Sequence, residues 1–329
     1  GVNLMRAIVI KQHGGAGSLV IEERSDPEPQ LGYITIEVKA FGINHAEIYF
    51  REGAWGDVAE ISGIECVGIV RADPSGALRS GQKVLAIVGG MGRNLSGSYA
   101  ELTNVPISNV AAINTDLSWE AFAAIPESYA TAWTCLIGIL SLTKGQKVLI
   151  RGATSALGQA AVNIANHAGA QVIATTRNFD RIALLKELGA DQAIIDRPDL
   201  SEHLKQEHPD GLDSALDIVG NTTVLDSAAT LKRGGQVCLA GFLGGGGPLE
   251  FEPVFQLPSG RLLSVFASAV ATGTPDFPLS EIPFQNIVDR AASGVYSAKP
   301  VRVFEFDEIQ DAHRLLESGT AGGKIVVRI

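Results

Sequence analysis

The chain has 329 residues, an apolar content of 46% and a net charge of −10, which is the composition of a globular protein with room for about two domains. The acidic balance argues against a nucleic-acid or anionic-membrane partner, and no apolar run approaches the ~18 residues of a membrane helix. Cys66, Cys135 and Cys238 are scattered in apolar runs. This pattern predicts buried, reduced thiols in a cytoplasmic protein rather than a disulfide or metal framework.

The first part of the chain predicts a small, mostly β domain. Short alternating apolar runs predict strands, and glycine- or proline-containing turns separate them. A short helix is expected at Ala46 to Glu52, and a glycine-rich loop at Gly89 to Gly97. The predicted strands are Arg6–Ile10, Leu19–Glu22, Tyr33–Val38, Glu65–Val70 and Lys83–Val88.

From Leu117 onward, predicted helices and strands alternate, which indicates a doubly wound parallel sheet in an α/β fold. The helices are expected at Trp119–Ile125, Tyr129–Leu140, Phe179–Leu188, Leu200–Glu207 and Thr222–Leu231. The strands are expected at Val148–Ile150, Gln171–Thr175, Gln192–Ile195, Ser214–Val219, Gln236–Ala240 and Leu262–Ala267. The tail adds strands at Val301–Phe306 and Lys324–Ile329, with a helix at Ile309–Leu316 between them.

Lys147 to Arg177 is the stretch around which this second part is organised. An apolar strand leads into a turn of small residues, and an alanine-rich helix follows and ends at Gly169. Such a βαβ unit binds a dinucleotide pyrophosphate, because backbone N–H groups at the helix N-terminus must approach the phosphates closely. Of the G-x-G-x-x-G fingerprint only Gly158 remains, so a purely structural turn is the alternative. The predicted cofactor-binding residues of the turn are Ala153, Thr154, Ser155, Ala156 and Leu157.

The end of the second strand predicts NADPH rather than NADH. An NAD-specific fold places a carboxylate there to bind the ribose hydroxyls, whereas this chain has Arg177, whose guanidinium suits a phosphate. Arg181 and the hydroxyl of Thr176 are expected to join it. The alternative is that Arg177 is a solvated loop residue, Asn178 caps the helix and Arg181 pairs with a neighbouring acidic residue. Asp180 is a competing carboxylate for the ribose.

Several motifs, in order along the chain, resemble those of the medium-chain dehydrogenase/reductase superfamily. The resemblance implies a β-rich GroES-like catalytic domain at 1–120 and 270–329 and a Rossmann nucleotide-binding domain at 121–269. The motifs that carry it are Ala40–Asn44, Arg51–Gly53, Gly63–Val70, Ser80–Val84 and Gly322–Val327.

Within that superfamily the chain resembles the zinc-free, zeta-crystallin-like quinone oxidoreductase branch. Zinc-dependent members carry a cysteine where this chain has Asn44 and a histidine where it has Ile64, and neither replacement is a zinc ligand. No cysteine cluster for a structural zinc lies between Cys66 and Cys135. Asn44 to Gly53 instead fits the quinone reductase pattern N-x-x-[DE]-x-Y-x-R-x-G. The resemblance therefore implies hydride transfer from NADPH to quinones or related α,β-unsaturated carbonyls, without a metal.

The same resemblance assigns two residues to the reaction. Asn44 is expected beside the nicotinamide, where it orients the ring or hydrogen-bonds a substrate carbonyl oxygen. Tyr49 is expected to line the quinone pocket and to donate a hydrogen bond or proton. The alternatives are a loop asparagine that bonds its own backbone and a core tyrosine. Trp55 is either an aromatic wall for a flat substrate or a packed core residue.

Four further residues are assigned to the cofactor. Thr131 is expected at a helix start, either approaching the nicotinamide or capping the helix. The resemblance implies that the backbone of Phe242 and Leu243 lies against the nicotinamide amide. These residues follow the carboxyl end of a predicted strand, where ligands bind in open α/β sheets. Val219, at the end of the preceding strand, completes the set.

The quaternary structure and the function each retain alternatives. The apolar strand Leu262 to Ala267 comes last in the predicted nucleotide domain, and the resemblance implies that it lies at the sheet edge. An unpaired apolar edge there would pair with a second copy in a homodimer; a covered edge in a monomer is the alternative. The rival functions are an enoyl-thioester reductase of the same superfamily and a low-turnover NADPH-binding protein with a structural or sensing role.

Overall fold

The structure is a computed structural model that describes residues 2–329. Its elements in chain order begin with β1 (Leu4–Ile10), β2 (Leu19–Ser25), β3 (Tyr33–Gly42), α1 (His45–Glu52), β4 (Glu65–Ala72), β5 (Lys83–Ile87), β6 (Leu102–Pro106), β7 (Val110–Ala112), α2 (Trp119–Ala123) and α3 (Pro126–Trp133). The next are β8 (Lys147–Arg151), α4 (Ala156–His167), β9 (Gln171–Thr176), α5 (Ile182–Glu187), β10 (Gln192–Ile195), α6 (Leu200–Glu207), β11 (Leu212–Asp217), α7 (Val224–Ala229), β12 (Leu231–Leu239), α8 (Pro253–Gln256) and β13 (Leu262–Val265). The last are α9 (Ser268–Ala271), α10 (Phe284–Ala292), β14 (Arg302–Glu305), α11 (Ile309–Ser318) and β15 (Ile325–Arg328).

Residue contacts divide the chain into two compact units. The first comprises Gly1–Ala130, Ser268–Gly294 and Ala298–Ile329, and the second comprises Thr131–Ala267 and Val295–Ser297. Two contacts attach the short segment Val295–Ser297 to the second unit. The Ser297 N–H donates to Asn163 Oδ1 at 2.8 Å, and the ring of Tyr296 lies 5.8 Å from that of His167. The functional domain boundaries expected from the sequence stay a prediction.

The first unit is built on antiparallel sheets. β1 and β2 form a hairpin, and a seven-stranded sheet has the order β14-β15-β3-β4-β5-β7 with β6 also paired to β3. β3 is the centre of this sheet, since it bonds β4 along one edge and β6 and β15 along the other. Gly68 allows the close pairing with β4, because a Cβ there would lie 2.0 Å from the carbonyl oxygen of Glu37. Buried aliphatic and aromatic side chains of these strands form one hydrophobic core.

The second unit has a six-stranded parallel sheet in the order β10-β9-β8-β11-β12-β13, which confirms the predicted doubly wound α/β fold. From β8 the chain first builds outward through β9 and β10 and then returns to the other side of β8 with β11. The strand order therefore reverses between β8 and β11, and ligands bind at the carboxyl ends of strands at such a point. β13 lies at the edge, as expected, and pairs with β12 through Leu262 to Val265.

The helix expected at Tyr129 to Leu140 begins earlier than predicted. α3 starts at Pro126, and a π-helix at Thr134–Ile139 continues it. Proline fits the first turn of a helix, because an N–H there has no partner within the helix. The sequence patterns also missed β6 and β7, which have only five and three residues.

No helix within residues 2–329 is both long and apolar enough to cross a membrane.

Candidate functional site

The turn after β8 is tight because two glycines permit it. Gly152 has a φ of +89°, a conformation that side-chain-bearing residues rarely adopt. Gly158 lies so close to the turn that a Cβ there would be 2.5 Å from the Cα of Ala153. Ser155 caps α4, and its Oγ accepts the Gly158 N–H at 3.0 Å. The local sequence thus brings the chain directly from the end of a buried strand into the N-terminus of α4.

The predicted turn residues lie at this N-terminus. The N–H of Ala153 is used inside the fold, where it donates to the Thr175 carbonyl oxygen at 2.9 Å. Thr154, Ser155, Ala156 and Leu157 are partly exposed. The first N–H groups of an α-helix have no partner within the helix, and the helix dipole adds partial positive charge there. The turn can therefore bind an anion such as a pyrophosphate.

The ends of β8, β11 and β12 bring further predicted residues to the same edge of the sheet. A Cβ at Gly152 would lie 3.2 Å from Val219 Cγ2 and 3.4 Å from Leu243 Cδ1, so these side chains meet over the turn. The N–H of Leu243 donates to the Ile218 carbonyl oxygen at 3.1 Å and holds the loop after β12 against β11. Phe242, beside it, is 41% exposed.

A buried carboxylate that the sequence analysis missed shapes the loop of Val219. Asp217 Oδ1 accepts the N–H groups of Val219 and Gly220 at 3.0 and 2.9 Å, and Asp217 also accepts the hydroxyls of Thr223 and Ser227. Burial raises the pKa of Asp217, and these donors oppose that shift by stabilising its charged form. Asp217 therefore fixes the turn between β11 and α7 and, with it, the position of Val219.

Arg151 is a second residue that the sequence analysis missed. Its fully buried guanidinium pairs with Asp196 at 2.9 Å and Asp226 at 2.7 Å and donates to the Arg197 carbonyl oxygen at 2.9 Å. These bonds tie the loop after β10 and helix α7 to the end of β8. The available signal was a charged residue at the end of an apolar strand, which needs a buried partner.

The end of β9 separates the three residues predicted to bind a phosphate. Thr176 is buried and its Oγ1 accepts the Asn178 N–H at 3.1 Å, so its hydroxyl shapes the turn. Arg177 is exposed, and no hydrogen bond or ion pair of its guanidinium occurs within residues 2–329. Arg181 is partly exposed in the following helical turn, which Asn178 caps by accepting the Asp180 N–H at 2.9 Å. Arg177 thus has the freest side chain of the three, while the competing Asp180 is exposed as well.

The expectation that Thr131 lies at a helix start is wrong. α3 begins at Pro126, so Thr131 lies inside this helix and cannot cap it. The residue is 2% exposed. Thr131 therefore belongs to a packed helical segment that leads into the π-helix.

In the first unit, the Asn44 side chain belongs to a buried charged cluster. Its Nδ2 donates to Glu65 Oε2 at 2.8 Å, and its Oδ1 accepts from Lys324 Nζ at 2.9 Å. Lys324 Nζ also donates to Glu65 Oε2 at 2.7 Å, and the Glu127 N–H donates to Glu65 Oε1 at 3.1 Å. Glu65 is fully buried and Lys324 is 6% exposed. Buried charges are tolerated when they are paired and hydrogen-bonded in this way.

A second buried network supports the backbone of Asn44. Glu47 Oε1 accepts the Asn44 N–H at 2.7 Å and the Tyr99 hydroxyl at 2.9 Å, and its Oε2 accepts the Ile64 N–H at 2.8 Å. Burial raises the pKa of Glu47 to about 8 against these donors. The network joins Asn44 and Ile64, two positions far apart in sequence, to one carboxyl group.

His313 continues this network in a defined tautomer. Arg51 Nε donates to His313 Nδ1 at 3.0 Å, and burial together with Arg51 lowers the pKa of His313 to about 3. The neutral ring therefore carries its proton on Nε2, which lies 2.9 Å from the Tyr99 oxygen. Tyr99 then directs its own proton to Glu47. The direction of each hydrogen bond in the chain is thus determined by Arg51.

Tyr49 lies in the middle of α1, and Trp55 lies three residues beyond the end of this helix. Tyr49 is partly exposed, and burial, followed by the charge of Glu52, raises its pKa, so the phenol keeps its proton. Trp55 is 39% exposed and its ring packs edge-on against Phe50 at 5.3 Å. Tyr49 therefore offers a hydrogen-bond donor, and Trp55 offers an aromatic surface.

Comparison with known proteins places these features in a family. Residues 30–115 match the family described as alcohol dehydrogenase GroES-like domain, and residues 156–283 match the family described as zinc-binding dehydrogenase. A quinone oxidoreductase of Lama guanicoe is 25% identical over 99% of this chain and 98% of that protein. The chain belongs to the medium-chain dehydrogenase/reductase superfamily, in its quinone oxidoreductase-like branch.

Two more proteins are similar to nearly the whole chain. A mycobacterial protein solved in complex with NADPH is 25% identical, with a TM-score of 0.86 over 99% of this chain and 100% of that chain. A phenolphthiocerol/phthiocerol polyketide synthase protein of Mycobacterium tuberculosis is 30% identical over 97% of this chain. The chain spans 14% of the length of that synthase protein.

The residues at the Asn44 cluster do not fit the zinc ion that one family description implies. The ammonium group of Lys324 lies between the amide of Asn44 and the carboxylate of Glu65, where a second cation would be repelled. Ile64 offers no ligand atom, and the nearby Cys66 is buried with a raised thiol pKa. Within residues 2–329, no group of three or more His, Cys, Asp or Glu side chains is arranged to hold a metal.

The cluster predicts that turnover does not need a metal. Purified protein should contain well under one zinc per chain, and its rate should survive treatment with a chelator because Lys324 already supplies the local positive charge. Metal analysis and steady-state rates before and after chelation measure this. A tightly bound zinc whose removal abolishes turnover would contradict the prediction.

Proposed function

We propose that the protein is an NADPH-dependent, zinc-independent reductase that transfers hydride to quinones or related α,β-unsaturated carbonyls. The observation that carries this proposal is the cluster of Asn44, Glu65 and Lys324, where an amide held by two charges stands in place of metal ligands. Such a site can stabilise a developing oxyanion only through hydrogen bonds. Quinones and enones suit such a site, because their conjugation already makes the carbon that accepts the hydride electron-poor.

The second unit binds NADPH. The pyrophosphate is held by the N-terminus of α4, and Arg177 binds the 2′-phosphate at the carboxyl end of β9. The loops that carry Val219, Phe242 and Leu243 hold the nicotinamide. Bound NADPH supplies the hydride. The mycobacterial neighbour solved with NADPH supports this assignment.

The first unit provides the groups that act on the acceptor. Asn44 donates an N–H to the carbonyl oxygen as negative charge grows there. Tyr49 donates a hydrogen bond or proton to the same reduced group, and its raised pKa keeps it protonated at neutral pH. Trp55 offers a flat surface on which an aromatic acceptor stacks.

An enoyl-thioester reductase is the second candidate, because the chain matches a segment of a polyketide synthase at 30% identity. An enoyl thioester is itself an α,β-unsaturated carbonyl, so the same residues would serve it. The net charge of −10 disfavours a thioester carrier whose pantetheine arm bears phosphate groups. The acceptor therefore distinguishes the two candidates.

The reaction is tested by steady-state NADPH oxidation with quinones, enones and enoyl thioesters. Wild-type protein should turn over quinones or simple enones, and Asn44→Ala and Tyr49→Phe should each lower kcat by about tenfold to a thousandfold with NADPH affinity retained. Tyr33→Phe removes a phenol hydroxyl from the start of β3 and should leave kcat unchanged.

Faster turnover of enoyl thioesters than of quinones and simple enones would favour the second candidate. No NADPH oxidation with any of the three acceptor classes would reject the reductase proposal and leave a low-turnover NADPH-binding protein.

Arg177→Ala tests the cofactor assignment. Hydrogen bonds to charged groups contribute about 1.5–3 kcal/mol. The variant should therefore bind NADPH about one to two powers of ten more weakly, whereas NADH binding changes little. Arg233→Ala removes an exposed arginine near the other end of a parallel strand and serves as the control. Equal weakening of NADPH and NADH binding, or wild-type use of both cofactors, would count against the assignment.

The protein is also proposed to be a homodimer that pairs through β13. This strand lies at the sheet edge, and its Leu262 and Val265 are 51% and 62% exposed, so its free edge can pair with a second copy. Light scattering at micromolar concentration should give twice the chain mass of 34.5 kDa. Leu262→Lys should shift that mass toward the monomer, whereas Leu31→Lys, at an exposed leucine of the first unit, should not. A monomer mass for wild-type protein would refute this proposal.

A further inference from the structure

The orientation of the Asn44 amide is set by the two charges beside it. Lys324 can only donate hydrogen bonds and Glu65, as a carboxylate, can only accept them. Turning the amide over would place Nδ2 against the ammonium group and Oδ1 against the carboxylate, and both contacts would be repulsive. The arrangement with Oδ1 at 2.9 Å from Lys324 Nζ and Nδ2 at 2.8 Å from Glu65 Oε2 is therefore the stable one.

This orientation leaves one amide hydrogen for a ligand. Glu65 accepts one of the two Nδ2 hydrogens, and the other has no acceptor within residues 2–329. Asn44 is partly exposed, unlike Glu65 and Lys324. The cluster therefore presents an N–H donor, and not a carbonyl acceptor, at its exposed side.

The ammonium group also strengthens that donor. A positive charge hydrogen-bonded to the amide oxygen draws electron density from the nitrogen, which makes the remaining N–H a better donor. The effect is large where water is excluded, and Lys324 is 6% exposed. Lys324 and Glu65 also cancel each other's charge, so the cluster remains neutral as a whole.

We propose that Lys324 and Glu65 are positioning residues that lock and polarise the Asn44 amide so that it donates to the acceptor carbonyl oxygen during reduction. This inference rests on the proposed function, which assigns Asn44 to the acceptor. It deepens that assignment, because the site then selects acceptors that carry a hydrogen-bond-accepting oxygen. Changes to Lys324 or Glu65 should therefore alter the rate of reduction more than the affinity for the cofactor.

An exchange of the two side chains tests the proposal without changing the local charge. The double variant N44D/E65Q keeps one carboxylate, one amide and the Lys324 ammonium, but it replaces the outward N–H donor with an oxygen acceptor. It should bind NADPH as wild-type protein does and lower kcat about 10²–10³-fold. A wild-type kcat would overturn the proposal, and so would an equal loss of kcat and NADPH affinity, since Asn44 would then act on the cofactor.

Lys324 is tested separately, in case the exchange prevents folding as judged by thermal unfolding. Lys324→Met should lower kcat about tenfold, the effect of one lost hydrogen bond, and Lys324→Arg should restore most of that loss because it keeps the charge. Lys299→Met, at an exposed lysine, is the matched control. A wild-type kcat in Lys324→Met would overturn the proposal.

A readout without turnover separates this inference from the proposed function. In protein labelled with ¹⁵N-asparagine, the two Nδ2 protons of Asn44 should exchange with solvent at unequal rates, because only one is held by Glu65. Their signals are assigned by their loss in Asn44→Ala. The charge-neutral pair E65Q/K324M should bring the two rates closer. Equal rates in wild-type protein would overturn the inference even if quinones are reduced, and unequal rates would support it even if no acceptor is found.

Discussion

The arrangement of the first unit around Asn44 depends on one buried carboxylate. Glu65 begins β4, is fully buried and accepts hydrogen bonds from Asn44, Lys324 and the Glu127 N–H. Asn44 directly precedes α1, Lys324 directly precedes β15, and Glu127 lies in the first turn of α3. An unpaired carboxylate in this place would be very costly, so the pairing restrains three elements at once. The same interaction that stabilises the fold thus determines how Asn44 is presented.

The chemistry follows from that restraint. A zinc enzyme of this superfamily polarises its substrate with a metal ion, whereas here the Lys324 ammonium group lies beside the Asn44 amide, and in the proposed reaction it acts through that amide. Hydrogen-bond donors that are already oriented stabilise a developing negative charge without reorganisation. The second network, from Arg51 through His313 and Tyr99 to Glu47, holds the backbone N–H of Asn44 and adds to this rigidity.

Local patterns predicted most of the fold because they repeat along the chain. Alternating apolar strands and helices indicated the doubly wound sheet, and small residues after β8 indicated the tight turn into α4. Local pattern failed for Thr131, where a proline at position 126 starts the helix earlier, and for the short strands β6 and β7. It also missed Glu65 and Lys324, which meet across 259 positions of the chain. A charged residue inside an apolar stretch signals that a partner exists, but only the tertiary structure identifies the partner.

Neutron diffraction from crystals of the deuterium-exchanged protein tests the arrangement of this cluster most directly, because it locates the hydrogen positions at Asn44, Glu65 and Lys324. The proposed orientation of the Asn44 amide predicts three deuterons on Lys324 Nζ, none on Glu65, and two on Asn44 Nδ2, of which one points at Glu65 and one points away from both charged partners. An amide turned so that Oδ1 faces Glu65, or a neutral pair with the proton on Glu65, would contradict it.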